Sequence, residues 1–328
     1  MGKVEIILID LFNRKIDYMR ISITDRCNLR CRYCMPDGID LCSHDDILSF
    51  DEILMVCREA IKLGIVNFKI TGGEPLVRKN CHELIRKIYD LDGVNEVTLT
   101  TNGVLLGQQL DRLVEAGVGS INISLDTLDR EKYKQITGFD EIDKVFEAIE
   151  KSIEKGIRVK INSVLHDEDY SKDFISLIDF ARRYPIDVRF IEMMPIGLGA
   201  ESMLVSNEDL KKILMDIFEN VTKDNKKHGN GPAEYYNIDG FKGAIGFISA
   251  IHGKFCDSCN RIRMTSTGDI KSCLCFDKKI SLKDALREKD PNRVYDMLVN
   301  SILEKPEMHS FEDKNSITEL KKMTQIGG

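Results

Sequence analysis

The chain has 328 residues, 42% hydrophobic and 31% charged, with a formal net charge of −7 and a mean hydropathy of −0.22. A chain of this length buries a sizeable core, in one large domain with an extension or in two domains. The acidic balance argues against a general nucleic-acid or membrane-surface binder, which needs a basic face to meet phosphates, and no stretch approaches the roughly 18 apolar residues of a membrane span.

At the N-terminus the apolar run from Ile6 to Leu11 is interrupted by Asp10 and is followed by no small-residue cleavage site. The expectation is therefore a cytoplasmic protein with no nucleic-acid and no membrane partner. Tyr18 to Thr24 alternates and is rich in β-branched residues, which predicts a strand.

Directly after that strand come Cys27, Cys31 and Cys34, spaced C-x3-C-x2-C. Three thiolates this close cannot all pair with one another as disulfides, but they can hold three corners of one metal cluster and leave the fourth open. Fe–S clusters are held by Cys thiolates. A structural zinc site usually wants four closed ligands in C-x2-C pairs, and the nearest spare, Cys42, is not at that spacing. Ten cysteines gathered mainly in two short groups read as metal ligation, while Cys57 and Cys81 fall on helical apolar patterns as core residues.

Ser49 caps a helix through Leu63, with Glu52 completing a capping box and Gly64 closing it. A strand from Ile65 to Thr71 then ends in Gly72-Gly73-Glu74-Pro75, where backbone without Cβ atoms suits close approach of a ligand's amino group. The alternation continues with helix Cys81 to Tyr89, strand Glu96 to Thr101, helix Val104 to Ala116 and strand Ser120 to Leu125. It runs on through helix Glu141 to Lys155, strand Arg158 to Val164, helix Ser171 to Tyr184 and strand Asp187 to Ile191. Six strands alternating with helices predict parallel βα units, either an incomplete TIM-like barrel with its site at the strands' C-terminal ends or an open doubly wound sheet. Thr100-Thr101-Asn102-Gly103 and Ser124-Leu125-Asp126 place polar residues at such ends.

Past Pro195-Ile196-Gly197 the pattern changes. A helix from Asn207 to Phe218 precedes a polar, basic stretch, Lys223 to Gly231, that reads as a mobile linker or loop. Short β-like runs follow at Glu234 to Ile238, Ala244 to Ser249 and Ile262 to Thr265, with Cys256, Cys259 and Cys273 forming a second triple, C-x2-C-x13-C. A zinc ribbon using Cys273 and Cys275 is the alternative there. The expected division is 1–225 and 226–328.

The first triple with Tyr33 before its last cysteine resembles the signature of the radical S-adenosylmethionine (SAM) superfamily. Together with Gly72 to Pro75, Thr100 to Gly103, Phe190 to Pro195, Gly246 to Ser249, Phe255 to Arg263 and the terminal Gly327-Gly328, the chain resembles, over nearly its whole length, the GTP 3′,8-cyclase family of molybdenum cofactor biosynthesis. This resemblance implies an α/β fold: a partial (βα)6 barrel with a smaller C-terminal α+β extension closing the barrel mouth. It implies two [4Fe–4S] clusters, one on Cys27, Cys31 and Cys34 that binds SAM, the other on Cys256, Cys259 and Cys273 facing the guanine of GTP, with Cys275 not a ligand. Tyr33, Gly73, Ser124 and Met194 map onto SAM contacts. Arg20, Lys69, Thr100, Lys160, Arg189, Arg261 and Arg263 map onto the substrate cavity, and a net-acidic protein must concentrate such cations locally to hold a triphosphate. Where the family usually carries Arg two residues before Thr-Gly-Gly-Glu-Pro, this chain has Lys69, which keeps the charge and loses the planar fork.

The implied reaction is reductive cleavage of SAM, hydrogen abstraction at C3′ of GTP, and closure onto C8 to give 3′,8-cyclo-7,8-dihydroguanosine triphosphate. Arg261, Arg263 and a Gly327-Gly328 tail threading into the cavity are the implied catalytic elements. The implied partners are an external electron donor and, downstream, a cyclic pyranopterin monophosphate synthase, around a monomer or homodimer. A twin-cluster radical SAM enzyme that matures peptides and a two-cluster electron carrier are the competing readings.

Overall fold

The computed structural model describes residues 8–38, 41–201, 203 and 205–326. In chain order the elements are β1 Tyr18–Ser22, α1 Phe50–Lys62, β2 Asn67–Thr71, α2 Cys81–Tyr89, β3 Glu96–Thr101, α3 Leu106–Glu115, β4 Ser120–Ser124, α4 Arg130–Thr137, α5 Ile142–Glu154, β5 Arg158–Ser163, α6 Tyr170–Arg183 and β6 Asp187–Ile191. Then come α7 Asn207–Ile217, β7 Val221–Asp224, β8 Glu234–Ile238, β9 Ile245–Ile248, β10 Arg261–Met264, β11 Asp269–Lys271, β12 Ile280–Ser281, α8 Lys283–Arg287 and α9 Pro291–Leu303.

The strands form one sheet in the order β12-β11-β10-β1-β2-β3-β4-β5-β6-β9-β8-β7. The six βα strands lie in sequence order at its centre, all parallel. The C-terminal part prolongs this parallel run at both edges: β9 pairs with β6 and β10 pairs with β1. Antiparallel β8 and β11 then turn each edge back. Residues of β9 and β10, at opposite edges, line the same cavity, so the sheet curls into a partial barrel. It runs without a break across residue 225, because β7 and β8 pair on either side.

Strand alternation decides which face is which. Met19 and Ile21, Phe68 and Ile70, Val97 and Leu99, Ile121 and Ile123, Val159 and Ile161, and Val188 and Phe190 are buried in the main core with the apolar stripes of the helices. The opposite face carries Arg20, Lys69, Thr100, Asn122, Lys160 and Arg189, a polar lumen inside an apolar shell.

The capping box of α1 is present, Ser49 N–H donating to Glu52 Oε2 at 2.7 Å, and Gly64 takes φ +87° beyond the helix end. Strands β11 and β12 and helices α8 and α9 are not among the expected elements, and two earlier stretches also differ from expectation. The short helix α4 is strongly polar in sequence, and only Tyr133, Ile136 and Thr137 are buried, too few to announce it. The stretch expected to be a mobile linker or loop begins in β7 and continues as a loop tied to Asp187 and Glu96.

Candidate active site

A cavity of about 310 Å³ opens at the C-terminal ends of the central strands, lined there by Thr100, Ser124, Asp126, Asn162 and Glu192. Cys34 of the first triple and Cys256, Cys259 and Cys273 of the second all line it. One chamber therefore joins the two cysteine groups. Over its mouth lies a satellite core of Ile196, Ile251, Leu274, Phe311 and Ile326, packed against Met194 and Met323.

The loop of the first triple is anchored by backbone. Gly73 N–H donates to Thr24 O and Glu74 N–H to Arg26 O, both at 2.8 Å. A Cβ at Gly72 would stand 2.6 Å from Thr24 O, and one at Gly73 2.4 Å from Arg26 O. The glycines are thus required by chain-on-chain packing; their missing side chains face the cysteine loop, and neither residue lines the cavity. Glu74 is fully buried and accepts from Leu76 N–H, Thr101 Oγ1 and Asn102 N–H at 2.7 to 3.0 Å. Burial pushes its carboxyl up to about 7 despite those donors. Asn102 in turn reaches Asn28 Oδ1 at 2.8 Å and Cys27 Sγ at 3.8 Å.

The thiols of this loop are free, and burial raises all three: Cys27, Cys31 well above its ordinary value, and Cys34 up to about 11. For Cys31 the Asp126 carboxylate and the two other thiols add to the effect. Three half-buried sulfurs close enough to oppose one another's ionisation suit a cationic metal centre, which removes the penalty on all of them. Tyr33 Oη donates to Asp126 Oδ2 at 2.7 Å, and Asp126 Oδ1 accepts from Val164 N–H at 2.9 Å. Cys42 stands apart, its N–H on Asp25 Oδ2 at 2.7 Å.

The second triple lies among cations. Arg14 donates to Cys256 O at 3.1 Å and to the carbonyls of Pro306 and Glu307 at 2.7 Å. Lys305, buried just beyond α9, bridges Arg261 O at 3.1 Å and Ser272 O at 2.6 Å. Burial alone would raise the Cys259 thiol, but the Lys305 ammonium and the Arg261 guanidinium outweigh it and hold it low. Cys275 is fully buried in the satellite core, its sulfur accepting from Ser310 N–H at 3.4 Å, and it does not line the cavity. No group of three His, Cys, Asp or Glu among the described residues is close enough to hold a single metal ion. Thiolates are the donors that Fe–S clusters take, and each triple offers three of them.

The sheet register puts Arg263, Arg20 and Lys69 side by side across β10, β1 and β2. Arg189 crosses from β6 to donate to Asn122 Oδ1 at 2.7 Å. Burial holds Arg20 below, and Lys69 and Arg263 well below, their ordinary values, with neighbouring guanidiniums adding to the shift. Lys160 is brought down to about 8 by burial and then by Arg189, so it is still largely protonated at neutral pH. Among the described residues, Arg189 Nε and Arg261 Nε are buried without an acceptor and Asn162 Oδ1 without a donor. Unpaired buried guanidinium donors beside like charges are costly and call for an anion.

Of the expected residues, Arg20, Tyr33, Thr100, Ser124, Met194, Arg261 and Arg263 line the cavity, whereas Lys160 lines a separate one beneath the barrel. Lys69 is paired with Arg20 across β1 and β2 and is not among the residues lining either cavity. Gly327 and Gly328 lie outside the described residues; Ile326, just before them, is fully buried at the mouth.

Residues 21–181 match the radical SAM superfamily model, and residues 186–311 match the Molybdenum Cofactor Synthesis C model. A GTP 3′,8-cyclase of Clostridium perfringens (strain SM101 / Type A) is 44% identical over 322 residues, covering 97% of this chain and 99% of that one. The chain belongs to the GTP 3′,8-cyclase family. Another such cyclase, from Syntrophomonas wolfei, is 40% identical over 327 residues, covering 98% of this chain and all of its own. The crystal structure of Streptococcus suis SuiB bound to S-adenosylmethionine superposes with a TM-score of 0.66, covering 94% of this chain and 77% of that one at 16% identity, which shows the shared fold.

For this member of the cyclase family, sequence reasoning singled out no role for Lys305, Arg14 or Glu192. Glu192, at the end of β6, gathers Asn207 N–H, Ile251 N–H, His252 N–H and the His252 ring within 2.7 to 3.1 Å, fixing the turn after β9. A buried acid in Phe-Ile-Glu-Met-Met-Pro at a strand end was the available signal; Lys305, in a loop far from either cysteine group in sequence, offered none.

Proposed function

We propose that the protein converts GTP to 3′,8-cyclo-7,8-dihydroguanosine 5′-triphosphate, the first step of molybdenum cofactor biosynthesis. The observation that carries the reading is the single chamber that has a cysteine group on each side and a cation-lined lumen beneath. In this reading Cys27, Cys31 and Cys34 hold a [4Fe–4S] cluster that binds SAM, and Cys256, Cys259 and Cys273 hold a second. When bound, the first cluster and SAM supply a carbon-centred radical able to take a hydrogen atom from a ribose.

The chain's own residues do the positioning. Asp126 and Tyr33 form a rigid acceptor and donor pair on the SAM side, an environment suited to a sulfonium cation. Arg20, Lys69, Arg189, Arg261 and Arg263 bind the nucleotide, the guanidinium forks matching the phosphate oxygens of a triphosphate. Lys69 acts there as a point charge, with Thr100 beside Asn122 and Ser124 on the neighbouring strand. The satellite core keeps water from the reacting atoms, which matters more for radical chemistry than any general base. Met194 and Gly73 belong to the SAM side, and the Gly327-Gly328 tail completes the substrate side, supported by the burial of Ile326 at the mouth. An external reductant must supply electrons, and a cyclic pyranopterin monophosphate synthase would take the product.

The test is anaerobic incubation of iron-reconstituted protein with SAM, dithionite and each nucleoside triphosphate. The reading expects 5′-deoxyadenosine and a new nucleotide with GTP alone. SAM cleavage without a nucleotide product would contradict it.

A further inference from the structure

Helix α9 packs on α1 and β11 with Val294, Leu298 and Ile302 in the core, and just past its end the chain turns a lysine inward. Lys305 is only 3% exposed, yet it lines the chamber together with Cys256, Cys259 and Cys273. Its ammonium donates to Ser272 O at 2.6 Å and to Arg261 O at 3.1 Å. Arg261 opens β10 two residues after Cys259, and Ser272 lies between the end of β11 and Cys273. The two thiols therefore leave the same open end of the β10–β11 hairpin. The last registered pair toward that end is Arg263 with Lys271, so the ammonium joins the two chains where the ladder stops.

This clip is held from behind. Arg14, itself on Asp10 at 2.6 Å, donates to the carbonyls of Pro306 and Glu307 and to Cys256 O at 3.1 Å. The acceptors of Lys305 are neutral carbonyls, and among the described residues no carboxylate pairs with it. A buried ammonium without a counter-ion is costly. The thiols are the groups that can supply one. Burial raises Cys256 and Cys273, and Lys305 is the leading cation opposing that rise at both, as it is at Cys259.

We propose that Lys305 is a positioning residue of the second cysteine group: its ammonium fixes the chain ends that carry Cys259 and Cys273, and it is the resident counter-charge of a cluster held there, raising that cluster's reduction potential. The inference rests on the reading of this group as the site of a [4Fe–4S] cluster and adds to it the residue that sets the cluster's redox poise. The sign follows from charge. An added electron makes the thiolate-bound cluster more negative, a fixed positive charge beside it stabilises that state, and burial keeps solvent from screening the attraction.

Redox titration of the anaerobically reconstituted full chain, followed by electron paramagnetic resonance and without GTP, tests the proposal; the signal that added SAM perturbs marks the first cluster. Lys305→Gln keeps a donor for the carbonyls and drops the charge, whereas Lys305→Arg keeps both. We expect the equilibrium constant for one-electron reduction of the second cluster to fall at least tenfold in Lys305→Gln, about 59 mV, with the first cluster unmoved and most of the shift restored in Lys305→Arg. Loss of the second cluster's iron from Lys305→Gln but not from Lys305→Arg would support the same role, because the charge is then needed to hold the cluster at all. An unchanged second potential in Lys305→Gln at parent iron content, an equal shift of both clusters, or loss of the iron from Lys305→Arg as well would overturn the role of Lys305 while leaving a two-cluster parent and its function standing. Parent protein that takes up one cluster only would overturn the cluster reading and the proposal together.

Discussion

The N-terminal cysteine triple sits on one short loop beside carboxylates, whereas the C-terminal triple is drawn from two loops and set among cations. Cys31 feels Asp126, and Glu74 adds to the raising of Cys27. Cys259 feels Lys305 and Arg261. The two halves of the chamber thus offer opposite fields to whatever binds: the first suits the positive sulfonium of SAM, the second a nucleotide anion. Similar donor sets are made unlike by their neighbours, and under the proposed function those neighbours divide the ligands between the two halves.

The largest way to break this contrast is at Arg263, the cation shared by the second cysteine loop and the lumen. Arg263→Met should weaken GTP by about 2 kcal/mol, roughly thirtyfold in Kd, and leave SAM affinity unchanged; calorimetric titration of each ligand would show a loss of both if the halves are not separate. Gly246→Ala tests the room left for Arg189. The new methyl would stand 2.9 Å from both Arg189 Cγ and the Tyr235 ring, so a thermal melt should register a loss of about 1–3 kcal/mol, with weaker GTP binding.

On the other side, Asp126→Asn removes a carboxylate facing the Cys31 loop and alters the acceptor of Tyr33. SAM affinity should fall by about 1 kcal/mol with GTP affinity intact, as equilibrium dialysis would reveal. The smallest effect concerns pH. Lys160 is depressed from 10.5 to about 8, so its attracting charge is present at pH 7 and is lost as pH rises through about 8, well before an ordinary lysine would titrate. GTP affinity should decline a few-fold across that window, and Lys160→Met should bind more weakly at pH 7 with a flatter profile.

The same contrast explains how much could be read in advance. The first triple is local, and so are the strand alternation and the Ser49 capping box, because the physics that fixes them acts over a few residues. The six parallel strands were legible for that reason. The joining of β9 to β6 and of β10 to β1 was not, since it depends on the sheet curling back, and the short β-like runs alone read as a separate extension. Gly72 and Gly73 were noticed for their missing side chains, yet what demands the absence is the backbone of residues 24 to 26, visible only in three dimensions. The stretch Lys223 to Gly231 read as a mobile linker or loop, and its anchoring was not legible because its polar groups find partners in Asp187 and Glu96, far away in sequence.

The most direct test replaces each triple separately: Cys27, Cys31 and Cys34 by Ser in one protein, Cys256, Cys259 and Cys273 by Ser in another. Both are reconstituted anaerobically, and bound SAM and GTP are measured by equilibrium dialysis beside iron content. We predict that the first variant loses SAM and keeps GTP, that the second keeps SAM and loses most GTP affinity, and that each retains about half the iron of the parent. Loss of both ligands in both folded variants, or SAM binding that survives without the first triple, would contradict the division of the chamber.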